Sequence, residues 1–376
     1  MKPIITTLCA VSLCIGAGSM RASESVELLP GAGLPSESAS ELTDRGRDIR
    51  GIYLPVGMVR SWKPKKLITH VRGTGADAVI IDVKDDMGRV VFRDDLPHAT
   101  GRPHGYHRHM AELVREFHAH DIYVIGRLVC FKDNLLPGLR RETAIQDSLT
   151  GGPWKDRNGK KWIDPYSPLA RTYLTSVAVA AEALGVDEIQ LDYVRFPVEP
   201  GTRQARYGNR RAGLPRYQAI ADLLEQVDEA IRIPLSIDVF GLTAYHPEES
   251  EALGQRLEYL ASHVDVISPM VYLANWPRDY WENPSAERTH AVIRGAVKKI
   301  RERLGDRVVV RPLLQAFKWR SHDWGDGFII NQIDAARDAG SGGHLFWNAG
   351  GNYDVVGNVW NAMNDAGTES DKLSLR

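Results

Sequence analysis

The strongest constraint on this chain is an eightfold alternation of short apolar runs with amphipathic helical segments. The apolar runs fall at residues 51–54, 78–83, 123–129, 188–191, 235–239, 264–268, 308–314 and 343–347. Helical periodicity occupies 64–72, 107–120, 169–184, 214–231, 251–261, 286–304 and 328–339, and 355–364 can close the series. In 107–120, for example, Met110, Leu113, Val114 and Phe117 share one face. The short runs are read as apolar throughout rather than as alternating with polar residues. Such a strand is buried on both faces, the condition of a parallel sheet covered by helices. Eight units over about 320 residues predict a single-domain α/β fold, a (β/α)8 TIM barrel. An open doubly wound sheet would need a phosphate-binding turn after its first strand. Residues 51–62 contain no G-x-G-x-x-G, so the closed barrel is preferred.

Outside the alternation the chain changes character. Lys2 precedes an apolar stretch at 4–16, followed by small residues up to Ala22. That is the layout of a cleavable secretory signal over 1–22, cut near Ser19 or after Ala22. Leu13 is too bulky for Cys14 to be a lipidation site. Residues 23–48 are rich in Ser, Glu, Gly and Pro and lack periodicity, so a flexible leader is expected there. The barrel is expected over 49–366, with a flexible tail at 367–376. The N-terminal run is too short for a comfortable transmembrane helix, and no later stretch approaches 18 apolar residues. The expected location is secreted or periplasmic, as a monomer with no transmembrane segment. Removal of the signal takes Cys9 and Cys14 and leaves Cys130 alone, so no intramolecular disulfide is expected. The formal net charge of −1 offers no excess of cations to neutralise phosphates, which argues against a nucleic-acid partner.

In a parallel barrel the chemistry sits at the carboxyl ends of the strands. Asp82 and Lys84 end the second run, Arg127 lies in the third, and Asp192 and Arg195 follow the fourth. Asp238 ends the fifth, Tyr272 and Trp276 follow the sixth, Gln315 the seventh, and Trp347 ends the eighth. Carboxylates there serve proton transfer or nucleophilic attack. Aromatic and amide side chains suit a sugar, whose C–H faces stack on rings and whose hydroxyls need fixed partners. A polysaccharide or oligosaccharide is the expected substrate. Glycoside hydrolysis uses two carboxylates. Asp192 and Asp238, on neighbouring strands, are the candidate catalytic pair, one as acid and the other as nucleophile or base. Asp82 is a third carboxylate. Asp82, Lys84, Arg127, Arg195, Tyr272, Trp276, Gln315 and Trp347 are the candidate substrate contacts. Plainer readings stay open: Asp192 paired with Arg195 at a turn, Lys84 in a local ion pair, aromatics packed beneath loops.

Other chemistries have less support. His104, His107 and His109 fit no strong zinc spacing, so neither a metal nor another cofactor is expected. A metal-dependent deacetylase built on them is a rival. Cys130 has no evident activating neighbour, and no Gly-x-Ser-x-Gly elbow occurs.

Four stretches, 82–88 (DVKDDMG), 190–197 (QLDYVRFP), 236–241 (SIDVFG) and 267–272 (ISPMVY), resemble a bacterial family of glycoside hydrolases catalogued as a domain of unknown function, DUF4015. The resemblance covers about residues 48–350, and the first two stretches carry most of its specificity. It implies a TIM-barrel glycosidase and secreted polysaccharide hydrolysis. By likeness to related barrel clans it also implies a strand-four nucleophile or base, which falls on Asp192, with Asp238 as the general acid by position and Glu248 as a reserve acid. A barrel that binds glycans in envelope or exopolysaccharide biology without cleaving them is the alternative expectation.

Overall fold

The structure, a computed structural model, describes residues 42, 44–92, 110–276, 283 and 285–374. Eight parallel strands close on themselves. They are β1 Ile49–Leu54, β2 Ala78–Lys84, β3 Tyr123–Val129 and β4 Glu188–Asp192. The series continues with β5 Leu235–Phe240, β6 Val266–Met270, β7 in two pieces (Val309–Val310 and Leu313–Gln315), and β8 Gly343–Trp347. Pro312, with no N–H to give, sits in the gap between the pieces of β7. The barrel closes where Ile49 pairs with Gly343. The expected (β/α)8 architecture is therefore present.

The unbroken apolarity expected of the strands holds in the first half of the barrel, as on β2, and has a specific cause there. Successive side chains on a strand point to opposite faces, and here both faces are covered. On β2, Val79, Ile81 and Val83 join Leu67, Ile68 and Val71 of the helix Pro64–Thr74 in the outer core. Ala78 and Ile80 point inward and pack with Ile49, Tyr123, Ile125, Leu313 and Leu345. The inward positions of β4 to β6 are different: Glu188, Gln190, Asp192, Ser236, Asp238 and Ser268 are all buried and polar. That polar side of the lumen leads up to the site.

Helix boundaries follow local chemistry. Pro64–Thr74 opens on proline and ends at Gly75, whose φ of 75° is left-handed. Ser167 caps Pro168–Glu182 by accepting the Ala170 N–H at 3.3 Å. The helix predicted over 251–261 is instead two short ones, Pro247–Leu253 and Leu257–Leu260, because Gly254 takes φ 75° and ends the first.

The ends of the chain also differ from expectation. Leu42, assigned to the leader, is buried, and the short helix Asp44–Arg47 packs under the barrel. The Gly46 carbonyl there accepts from Arg311 Nη1 at 2.9 Å. The closing helix runs Asp354–Ser374, through most of the predicted tail, since no proline stops it. The rest of the leader and the signal lie outside the described residues. Among those described, no helix is long and apolar enough to cross a membrane.

Candidate active site

The carboxyl ends of the strands open into a cleft of about 310 Å³, in the range of small-molecule sites. Strand residues Tyr53, Asp82, Arg127, Asp192, Asp238 and Trp347 line its floor and walls. Loop residues Asp86, Lys132, Tyr193, Arg195, Glu199, Gln255, Tyr272, Asn275 and Trp276 complete it.

Arg127 organises the floor. It pairs in register with Asp82 on β2, so both side chains enter the lumen. Its Nη1 meets Asp82 Oδ1 at 2.5 Å, while Nη2 and Nε meet Asp192 Oδ2 at 2.5 and 3.0 Å. Tyr53 donates its hydroxyl to Asp82 Oδ2 at 2.7 Å. Asp192 Oδ1 accepts the Tyr193 N–H at 2.6 Å. Tyr193 has φ 50°, a left-handed conformation that costs a bulky residue free energy. That turn aims its amide back at Asp192, and its ring lies 4.6 Å from the Lys132 ammonium.

Asp238 has the opposite surroundings. The ladder between β4 and β5 runs to Leu191↔Ile237, so the next step along both strands sets Asp192 beside Asp238. Adjacent strands lie ~4.8 Å apart, and residues at the same step point to the same face. Asp238 is 2% exposed, and its Oδ1 has no hydrogen-bond partner. Burial, then the charge of Asp192, push its pKa well above the usual carboxylate range, and Arg127 only partly offsets them. Burial also raises Asp82, offset in part by Arg127 and the Tyr53 hydroxyl. Tyr272 is raised too, first by burial and then by Asp238 and Asp192, so its phenol stays a neutral donor beside the acids.

The walls are aromatic. Tyr53 and Trp347 stack with centroids 4.0 Å apart and planes at 21°, and the Arg127 guanidinium lies 4.9 Å from the Trp347 ring. Trp276 packs edge-on against Tyr245 at 5.8 Å. Along the rim, Lys132 meets Asp86 at 3.3 Å, and Arg195 meets Glu199 at 2.7 Å. The partner of Asp192 is thus Arg127, and Arg195 belongs to Glu199.

Two predicted contacts lie elsewhere. Lys84 is fully buried in an ion pair with Asp133 at 2.9 Å and donates to the Val129 carbonyl at 2.7 Å. A register shift after Asp82 pairs Lys84 with Leu128, which turns its side chain out of the lumen and towards the outer core. Gln315 is buried beneath the rim: it accepts from the Ala274 N–H at 3.3 Å and donates to the carbonyls of Phe317 and Trp319 at 3.0 and 2.9 Å. It ties the loops after β6 and β7 together. Glu248 falls within Pro247–Leu253, but its side chain lies outside the described residues, as do His104, His107 and His109. Among the described residues, no cluster of three His, Cys, Asp or Glu side chains suits a metal ion. Cys130 is buried, which pushes its thiol pKa up and leaves it unreactive. Tyr53, Tyr193, Glu199 and Gln255 were not among the predicted site residues. Tyr53 had a signal, since it sits at the end of the first apolar run.

Eight parallel strands closed into a barrel, with a cleft at their carboxyl mouth, define the class of (β/α)8 TIM barrels. Residues 51–353 match the family described as "Putative glycosyl hydrolase domain", DUF4015, and the chain belongs to that family. The barrel is similar to the glycoside hydrolase domain of PgaB (BpsB) from Bordetella bronchiseptica. Identity is 14% over 83% of this chain and 98% of that one, with a TM-score of 0.62. It is similar also to the spore cortex-lytic enzyme SleL of Bacillus cereus, 10% identical over 84% of this chain and 74% of that one, TM-score 0.50. At those identities the likeness is one of fold. A hypothetical protein from Ruminiclostridium thermocellum is 31% identical over 50% of this chain and 97% of that one, with a TM-score of 0.45. None of the curated proteins matches the chain.

Proposed function

We propose that the protein is an exported glycoside hydrolase that cleaves a polysaccharide with Asp192 as nucleophile and Asp238 as general acid. One observation carries this reading: two adjacent carboxyls have opposite surroundings. Asp192 accepts hydrogen bonds at both oxygens, from Arg127 and from the Tyr193 amide. Asp238 is buried with an unpartnered oxygen, and its pKa is raised. Surroundings this different support Asp238 as the acid and Asp192 as its partner.

In the first step Asp238 gives its proton to the glycosidic oxygen as the bond to the anomeric carbon breaks. The electron pair of that bond stays on the leaving oxygen. Asp192 attacks the anomeric carbon and forms a glycosyl ester. Asp238, now a carboxylate, takes a proton from water, whose oxygen displaces Asp192. The step through a glycosyl ester makes retention of configuration part of the proposal. The Tyr53–Trp347 stack offers the sugar ring a face, and Tyr272 offers a donor.

Asp192→Asn is expected to lower turnover roughly a thousandfold in a folded protein. Reducing-end release from a panel of bacterial exopolysaccharides measures it, and a folded, fully active variant would sink the assignment. Glycan affinity in a wild-type protein that turns over none of the panel would point to the binding barrel instead. Export belongs to the same reading, supported by Lys2 and the apolar run at 4–16. The expected mature chain begins after Ser19 or Ala22 and works as a monomer, which N-terminal sequencing and light scattering of the exported protein check.

A further inference from the structure

Gln255 is 1% exposed and stands behind the two acids. Its Nε2 donates to the main-chain carbonyl of Asp238 at 3.1 Å and to that of Val194 at 3.4 Å. Its Oε1 accepts the Phe240 N–H at 3.1 Å. One amide thus spans the end of β5 and the segment two residues beyond Asp192. The β4–β5 ladder stops at Leu191↔Ile237, one residue short of the acids, so the bridge begins where the backbone pairing ends. The break between the two short helices delivers Gln255 there. Gly254 turns at φ 75°, and the Gln255 N–H bonds back to Ser250 at 2.8 Å. A Cβ on Gly254 would stand 3.1 Å from the Arg216 carbonyl and from Phe196, so the turn admits little else.

We propose that Gln255 is a positioning residue whose side-chain amide clamps the ends of β4 and β5 and so sets the separation of the Asp192 and Asp238 carboxyls. The inference rests on the reading of those two residues as the catalytic pair. The charged and titratable groups that act on Asp238 are Asp192 and Glu188 from β4, Arg127 from β3, the Cys130 thiol just past β3, Arg311 between the two pieces of β7, and the Tyr272 phenol beyond β6. Of these, Asp192 is the neighbour whose distance the clamp governs. Release of the clamp lets the strand ends part, weakens the repulsion by Asp192, and makes the Asp238 proton easier to lose.

The test is a carboxyl titration of full-length mature protein labelled with 13C-aspartate, with the Asp238 resonance assigned by Asp238→Asn. Gln255→Leu removes all three bonds at similar volume. Gln255→Asn keeps a neutral amide that is too short to reach both strands. In either folded variant the Asp238 midpoint is expected to fall by about half a pH unit or more. On a polysaccharide that the wild type cleaves, kcat is expected to drop about ten- to a hundredfold with little change in KM. The alkaline limb of the rate profile should move to lower pH. A purely structural glutamine would lower the melting temperature and leave both pH readouts in place. An unchanged Asp238 midpoint in whichever variant folds overturns the clamp. The titration needs no substrate, so its failure is distinct from failure of the hydrolase reading, which the turnover of Asp192→Asn decides.

Discussion

At the scale of single residues, the cleft gives similar side chains dissimilar neighbours. Asp192 and Asp238 are the same amino acid one strand apart, yet one is ringed by donors and the other has an orphaned oxygen. The second arrangement has a stability consequence. Because the folded pKa of Asp238 lies above its unfolded value, the folded chain binds the extra proton between the two. The contribution of this group to stability is full below the ordinary carboxylate pKa. It is lost as pH rises towards the folded value. Asp238→Asn cannot ionise, so it should abolish acid catalysis and raise the melting temperature by a few degrees at neutral pH. Thermal melts of both proteins across pH 4–8 check this: the gap should widen with pH, and a lower melting temperature for the variant at pH 7 would contradict the account. Residue identity alone does not separate the two acids. Each follows an apolar run, and only the packing around them shows which is bonded and which is not.

At the scale of elements, strands are set by local pattern but their ends are set by partners. The β2 run was plain from its β-branched residues, while the fate of Lys84 at its end was not. A strict period of two would send Lys84 into the lumen with Asp82, but the register shift turns it out to Asp133. Both side chains of that pair are fully buried, so the loss of one leaves an uncompensated charge. Lys84→Met should destabilise the fold by about 3–5 kcal/mol in urea unfolding, and joint replacement of Lys84 and Asp133 by apolar residues by less. Equal losses for the single and double variants would count against the pair. The split of the predicted 251–261 helix has the same origin. Helical periodicity tolerates a glycine, but Gly254 takes a left-handed φ of 75° where a Cβ would stand 3.1 Å from the Arg216 carbonyl and from Phe196, and the helix ends there.

At the scale of the whole molecule, the cleft and a buried ion pair occupy opposite ends of the barrel. The cleft lies at the carboxyl end. At the amino end Glu188 on β4 is fully buried against Arg311 on β7, and Arg311 also holds the Gly46 carbonyl. The segment before β1 therefore closes the floor beneath a polar lumen. A chain that starts at Asp48 loses the Gly46 contact and the packing of Leu42. It should melt several degrees lower while keeping the kcat of the longer mature chain, measured side by side below both transitions. A fall in kcat at an unchanged melting temperature would place that segment in the chemistry.

By itself the amino-acid sequence determined the eight strands, their parallel burial, the end of the barrel that opens into the cleft, and the acids Asp82, Asp192 and Asp238 that line it. Periodicity and strand-end position are local properties, written within a dozen residues of each run. Tertiary structure alone decided the rest: that Arg127 joins Asp82 to Asp192, that Arg195 answers to Glu199, that Lys84 and Gln315 leave the cleft, and that Gln255 enters it. Each of these depends on register between strands or on a loop brought back over the barrel. Such contacts join residues remote in the chain, and no pattern along it records them.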